Sequence, residues 1–191
     1  MSYVNYFSRT HLYLRSLCWN PSWFCLFGLF LVSSFITPVS AQQLFIPMDE
    51  SQANHLKAYG LIFNYLTEGG KATWLLNYRG GSFITDENAE LIREARLKNI
   101  TVELISNSQA TRITQDVESP GSNTSVVNLE KAPRIAVYTP EQALPWDDAV
   151  TLALSYADID YDKIWDVEVL QGGLQNYDWL HLHHEDFTGQ Y

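Results

Sequence analysis

The chain has 191 residues, 46% of them hydrophobic and 18% charged, which is enough for about one domain with a real core. Its 12 basic residues stand against 22 acidic ones, a net charge of −10. That balance argues against binding nucleic acid, which depends on clustered Lys and Arg. Both cysteines, Cys18 and Cys25, fall in the first 41 residues, so the remainder carries no disulfide, thiolate nucleophile or Cys-ligated metal.

Residues 1–41 have the pattern of a secretory signal peptide. Arg9 and Arg15 make the start basic, Trp23 to Ile36 is apolar, and Val39-Ser40-Ala41 supplies small residues at a cleavage site before Gln42. The apolar run is broken by Ser33 and Ser34 and falls short of the roughly 20 residues needed to span a bilayer. The expected product is exported, periplasmic or extracellular, and meets a membrane only through the signal segment before cleavage.

From Gln42 onward the pattern alternates between strand and helix. Leu44-Phe45-Ile46-Pro47-Met48 predicts a strand, and Asp49 with Gln52 three residues later predicts a helix start. Leu56, Tyr59, Phe63 and Leu66 predict that helix's apolar stripe, Gly69-Gly70 its end, and Ala72 to Leu76 a second strand parallel to the first. Asn77-Tyr78-Arg79-Gly80-Gly81-Ser82-Phe83 predicts a loop. Arg79, Gly80 and Gly81 are candidate ligand-binding residues there, because glycines allow close backbone approach and Arg79 offers a fixed cation to a carboxylate or other anion. The alternative is a turn that needs glycine, with Arg79 paired to an acidic neighbour. A helix is expected over 86–98, then a strand over Ile100 to Ile105, a short helix over 107–115 and an exposed connection through Ser119-Pro120-Gly121-Ser122-Asn123.

The second half repeats the plan. Arg134 to Tyr138 predicts a strand and Pro145-Trp146-Asp147-Asp148 the opening of a helix. The spread of apolar residues from Ala149 to Ala157 predicts burial on more than one side. Strands are expected over Ile164 to Val169 and Tyr177 to Leu182. This predicts an α/β fold with a doubly wound, mostly parallel, Rossmann-like sheet. Its two halves are residues 42–115 and 133–191, joined by the loop 116–132. Ending at a strand with no helix to cover it, the domain is expected to be incomplete at the C-terminus.

The last strand runs into the densest cluster of reactive groups, His181-Leu182-His183-His184-Glu185-Asp186, at the end of a strand where ligands bind in open α/β sheets. His181, His183, His184 and Glu185 are candidates for acid–base chemistry, since imidazoles titrate near neutrality, and Asp186 is a candidate ligand contact. His181 and His183 alternate on one face of a strand, so a zinc site is the alternative, although no cofactor is required by the sequence. The expected partner is a small-molecule substrate or ligand. Trp74, Trp146 and Trp179 admit carbohydrate binding or plain aromatic packing.

Four blocks carry a family resemblance. They are Ile46-Pro47-Met48-Asp49-Glu50-Ser51-Gln52-Ala53-Asn54-His55-Leu56-Lys57-Ala58-Tyr59-Gly60, Trp74-Leu75-Leu76-Asn77-Tyr78-Arg79-Gly80-Gly81-Ser82-Phe83, Pro145-Trp146-Asp147-Asp148-Ala149-Val150-Thr151, and Asp178-Trp179-Leu180-His181-Leu182-His183-His184-Glu185-Asp186-Phe187-Thr188-Gly189-Gln190-Tyr191. In this order they resemble the exported bacterial family labelled "asparagine synthetase B". The resemblance implies a class I glutamine amidotransferase-like α/β fold and a longer parent chain. Glutamine-hydrolysing asparagine synthetases use a cysteine nucleophile and a Ser-Gly-Gly-Leu-Asp-Ser loop. Here Gly80-Gly81-Ser82 reverses part of that loop and residues 42–191 lack cysteine, so the nucleophile is expected downstream and this chain alone is expected to be inactive. A non-catalytic α/β protein binding a ligand, carbohydrate or metal is the alternative.

Overall fold

The computed structural model describes residues 42–182; the expected signal segment lies outside the described residues. The fold is mixed α/β, with a five-stranded and a three-stranded sheet. The first sheet contains β1 (Gln42–Ile46), β2 (Ala72–Leu76), β3 (Ser82–Asp86), β4 (Glu103–Ser106) and β5 (Ser125–Leu129), interspersed with α1 (His55–Thr67), α2 (Ala89–Leu97) and α3 (Asn107–Val117).

Its order is β4-β1-β3-β2-β5, and all neighbouring pairs are antiparallel. The expected pairing of β1 with β2 is therefore corrected: the two run in the same direction, but β3 lies between them. The cause is the segment expected to be a loop. Asn77, Arg79, Gly80 and Gly81 all have positive φ, at 61°, 46°, 81° and 93°. The chain consequently reverses within a few residues, and Ser82 to Asp86 returns as a strand paired to β2. The resulting β1-α1-β2-β3-α2-β4 path with order 4-1-3-2 is the split β-α-β, ferredoxin-like arrangement. β5 extends the β2 edge and lies inside the segment expected to be an irregular linker.

Period-two alternation divides the side chains between two cores. Leu44, Ile46 and Phe83 face one side and pack with Leu61, Ile62 and Leu66 of α1 and with Leu91 and Ala95 of α2. Phe45, Leu75 and Ile84 face the other and pack with Ala110 and Val117 of α3. Each fully buried aliphatic side chain contributes about 1.5–3 kcal/mol of transfer free energy.

The helix boundaries differ from expectation for local reasons. α1 begins at His55 because Asn54 caps it, accepting from Lys57 N at 3.2 Å. The Asp49 expected as cap is instead held by Arg79, and the buried Gln52 braces two loops, donating to Pro47 O at 2.7 Å and accepting from Thr101 N at 2.8 Å. Leu56 and Tyr59, expected in the stripe, are each more than 40% exposed; Ala58, Leu61 and Ile62 take the inner positions. α2 starts after the Asn88 cap, and Asn99, just past its end, adopts the left-handed conformation. α3 has the capping box of Ser106 and Gln109.

The second sheet has the order β7-β6-β8, all parallel, from β6 (Ile135–Tyr138), β7 (Asp162–Ile164) and β8 (Trp179–Leu182). α4 (Ala149–Ala157) and α5 (Asp166–Leu170) form the connections. The strand expected over Ile164 to Val169 is corrected to the end of β7 followed by α5. The β-branched run yields because Glu168 accepts from Trp165 N at 2.9 Å and places a carboxylate at the helix start. α4 buries Thr151, Leu154 and Ala157 but exposes Leu152 and Tyr156 by about half, a narrower inner face than expected. It meets α1 closely, because a Cβ on Gly60 would stand 1.7 Å from Ala157 O. Asn54 Nδ2 donates to Tyr156 Oη at 3.0 Å and Lys57 pairs with Asp158 at 2.9 Å across the same junction.

Candidate active site at the edge of the parallel sheet

The parallel strands β6 and β8 share one register, with Val137 opposite His181 and Tyr138 opposite Leu182. Opposed residues share a face, so His181, Val137 and, two residues after Val137, Thr139 project to the same side. The Thr139–Asp148 loop leads from β6 to α4 and ends in a 3-10 turn over Pro145–Asp147. Thr151 Oγ1 donates to Pro145 O at 2.7 Å, and Lys163 Nζ donates to Glu141 O at 3.1 Å, which hold the loop down.

Asp148 caps α4. Its Oδ1 accepts from Val150 N at 2.7 Å and Thr151 N at 3.1 Å, so the carboxylate lies on the positive end of the helix. His181 Nε2 lies 3.1 Å from the same oxygen. The pair is enclosed: the imidazole is 18% exposed and the carboxylate 6%. An ionised carboxylate can only accept, so Nε2 carries the proton and Nδ1 of the neutral ring keeps its lone pair. A carboxylate fixing the tautomer of a histidine is the orienting part of acid–base sites in hydrolytic enzymes. The helix end stabilises the anion, and the anion in turn fixes the ring.

Thr139 is 1% exposed, and its Oγ1 has no hydrogen-bond partner among the described residues. A buried unpaired hydroxyl costs about 1–3 kcal/mol. It directly follows β6, at the carboxyl end of the strand that pairs with the one carrying His181. Asp147 accepts from Leu144 N at 2.8 Å and closes the 3-10 turn.

The Arg79 loop belongs to the five-stranded sheet and is internally committed. Arg79 Nε donates to Asp49 Oδ2 at 2.6 Å, Nη1 to Glu103 Oε1 at 2.9 Å and Nη2 to Ser51 Oγ at 3.1 Å. The guanidinium also lies 5.1 Å from the Phe45 ring centre. Hydrogen bonds from Arg79, then Ser51, hold the Asp49 carboxyl well below the usual carboxylate range, and Asp49 and Glu103 together raise the Arg79 pKa. An incoming carboxylate would compete with both acids. Gly80 has no room for a side chain, since a Cβ would stand 2.1 Å from Met48 O. Gly81 O accepts from Trp74 Nε1 at 3.0 Å, and that indole stacks on Phe83 at 6.0 Å.

Of the sequence candidates, Arg79, Gly80 and Gly81 are thus brought together in one hairpin, and His181, in the other sheet, stands with Asp148. His183, His184, Glu185 and Asp186 lie outside the described residues, as does the pairing of His181 with His183 on a metal. Among the described residues no group of three or more His, Cys, Asp or Glu is gathered to hold a metal ion, and no helix is long and apolar enough to cross a membrane. The part missed from sequence is the pairing of Asp148 with His181. Its signal was an N-cap aspartate at the end of a β-α loop, legible as a cap but not as a partner 33 residues away.

Comparison of the chain with protein-family models, with curated proteins and with solved structures finds no significant match.

Proposed function

We propose that this chain is the N-terminal part of an exported amidotransferase- or hydrolase-like protein, similar to the family labelled asparagine synthetase B, with its reaction crevice at the carboxyl ends of β6 and β8. On this reading β7-β6-β8 is one end of a doubly wound, class I glutamine amidotransferase-like sheet. Three parallel strands in the order second, first, third are how such a sheet begins, and its switch point falls between the first and third, here β6 and β8. The observation that carries the proposal is the enclosed His181–Asp148 pair at 3.1 Å beside that switch point.

His181 acts as the acid–base residue. Its Nδ1 takes the proton from a nucleophile supplied by sequence beyond Tyr191 and returns it to the leaving amine, and Asp148 holds the ring and balances the transient positive charge. The substrate class is a small carboxamide.

The test is ammonia release from glutamine and asparagine, measured for this chain and for the full product of its open reading frame. The chain alone is expected to release none, while in the full product His181→Gln lowers kcat by about 10²–10⁴, the usual share of a general acid–base group. Hydrolysis by residues 42–191 alone, or a His181→Gln enzyme with unchanged rate and pH profile, would overturn the reading.

A further inference from the structure

On the face of the five-stranded sheet beneath α3, the side chains change character along the strands. Phe45, Ile84, Leu75 and Val126 pack under the helix. Two residues further along the same strands and on the same face stand Gln43, Asp86, Thr73 and Asn128, with Gln43 opposite Asp86 and Thr73 opposite Asn128. Across from them α3 contributes Asn107, Thr111, Thr114 and Gln115, and the two walls flank an open groove of about 580 Å³.

A helix packed on a sheet normally meets it with apolar side chains. Where the helix leaves the sheet, most of the lining side chains are polar and open to solvent. Within the sheet wall Thr73 Oγ1 donates to Asn128 Oδ1 at 3.5 Å, and the two walls do not pair with each other. Thr111 Oγ1 donates to Asn107 O at 2.9 Å and Thr114 Oγ1 to Ala110 O at 3.0 Å, both within the helix. Among the described residues no hydrogen bond spans the groove. Amide side chains offer donors and acceptors side by side, and Asp86 only accepts, so the lining suits a partner rich in groups that do both. Ile84 and Ala110 supply an apolar floor between the walls. The one cation, Lys71, stands at the rim 3.6 Å from Glu130, which disfavours an anionic ligand.

We propose that this groove is a second ligand site, on the other sheet from His181, that takes a neutral, hydroxyl-rich small molecule of the mono- or disaccharide class. The hydroxyls of the sugar bridge the amide and carboxylate walls, its C–H face rests on Ile84 and Ala110, and the volume is within the range of small-molecule sites, about 300–1,000 Å³.

The test is a titration of the ¹⁵N-labelled full chain with glucose, N-acetylglucosamine, maltose and cellobiose, followed by amide shifts. At least one probe is expected to bind in the millimolar range, with shifts confined to 71–73, 84–86, 107–115 and 128–130. Thr73→Ala and Asn128→Ala, each checked for an unchanged circular dichroism spectrum, should weaken binding about tenfold. His181→Gln should leave it unchanged, which separates this site from the proposed crevice. No shift from any probe up to about 50 mM would overturn the proposal. So would binding that survives both groove variants, or acetate or phosphate producing the same shifts.

Discussion

Asp148 serves two functions at once, and substitutions can separate them. As an N-cap it is replaceable by Asn, whereas Ala costs about 0.5–2 kcal/mol of stability. As the anchor of His181 it is replaceable by Asn in part, because the amide Oδ1 still accepts from Nε2 but carries no charge, and by Ala not at all. Asp148→Asn is therefore expected to stay within a few tenths of a kcal/mol of the parent in urea unfolding and to keep the His181 proton on Nε2, whereas Asp148→Ala removes the acceptor. In ¹⁵N spectra of the ring, the parent protein should hold the proton on Nε2, and Asp148→Ala should release it to a mixture of tautomers. A ring that already exchanges both tautomers in the parent would remove the basis for a fixed acid–base group. Arg79 offers a second residue-scale test. Its three donors reach Asp49, Glu103 and Ser51 from one planar group, a geometry that Lys cannot copy. Arg79→Lys should lower stability by about 1 kcal/mol, the scale of a partly exposed charge pair, visible as a lower urea midpoint with unchanged slope.

Among the elements, the junction of α1 and α4 is the most sensitive to volume. Gly60 lies against the Ala157 carbonyl, with no space for a methyl group. Gly60→Ala should push the helices apart and cost about 1–3 kcal/mol, as overpacking generally does, despite the better helix propensity of alanine. A stabilised variant in thermal unfolding would show that the two helices do not meet this closely in solution. Leu61→Ala, in the core beneath the same helix, should cost about 2–5 kcal/mol through the cavity it leaves. The β2–β3 hairpin is the other sensitive element. Gly80 combines a φ of 81° with a Met48 carbonyl where a Cβ would lie, so it requires glycine for space as well as for backbone freedom.

For the whole molecule, the acidic balance predicts how stability varies with pH. Arg79 lowers the pKa of Asp49, Lys57 and then Lys98 lower that of Asp158, and the Arg134 amide and then Lys131 lower that of Asp178. A carboxyl whose pKa is lower in the folded state contributes stability that is complete above its unfolded value, about 3.9, and is lost as pH falls through the folded value. These pairs tie the β1–α1 loop to the hairpin, α1 to α4, and the start of β6 to β8. The unfolding midpoint is accordingly expected to be level above about pH 5 and to fall steeply below about pH 4. A midpoint unchanged at pH 3 would mean that these pairs contribute nothing measurable.

Local signals in the chain were sufficient for what depends on near neighbours. The strand at Leu44–Ile46, the helix end at Gly69-Gly70 and the strand carrying His181 all follow from periodicity and capping chemistry within a few residues. What periodicity could not show was which strands become neighbours. A turn with four residues at positive φ made Ser82–Asp86 a strand, and that strand inserted between β1 and β2 and turned an expected parallel pair into an antiparallel sheet. The reactive residues follow the same division. His181 was legible as a candidate because its residue type and position in a strand are local facts. Its partnership with Asp148 depends on register between β6 and β8 and on where α4 begins. Only tertiary structure decides those, because side-chain distances across a sheet are set by strand pairing and not by separation along the chain.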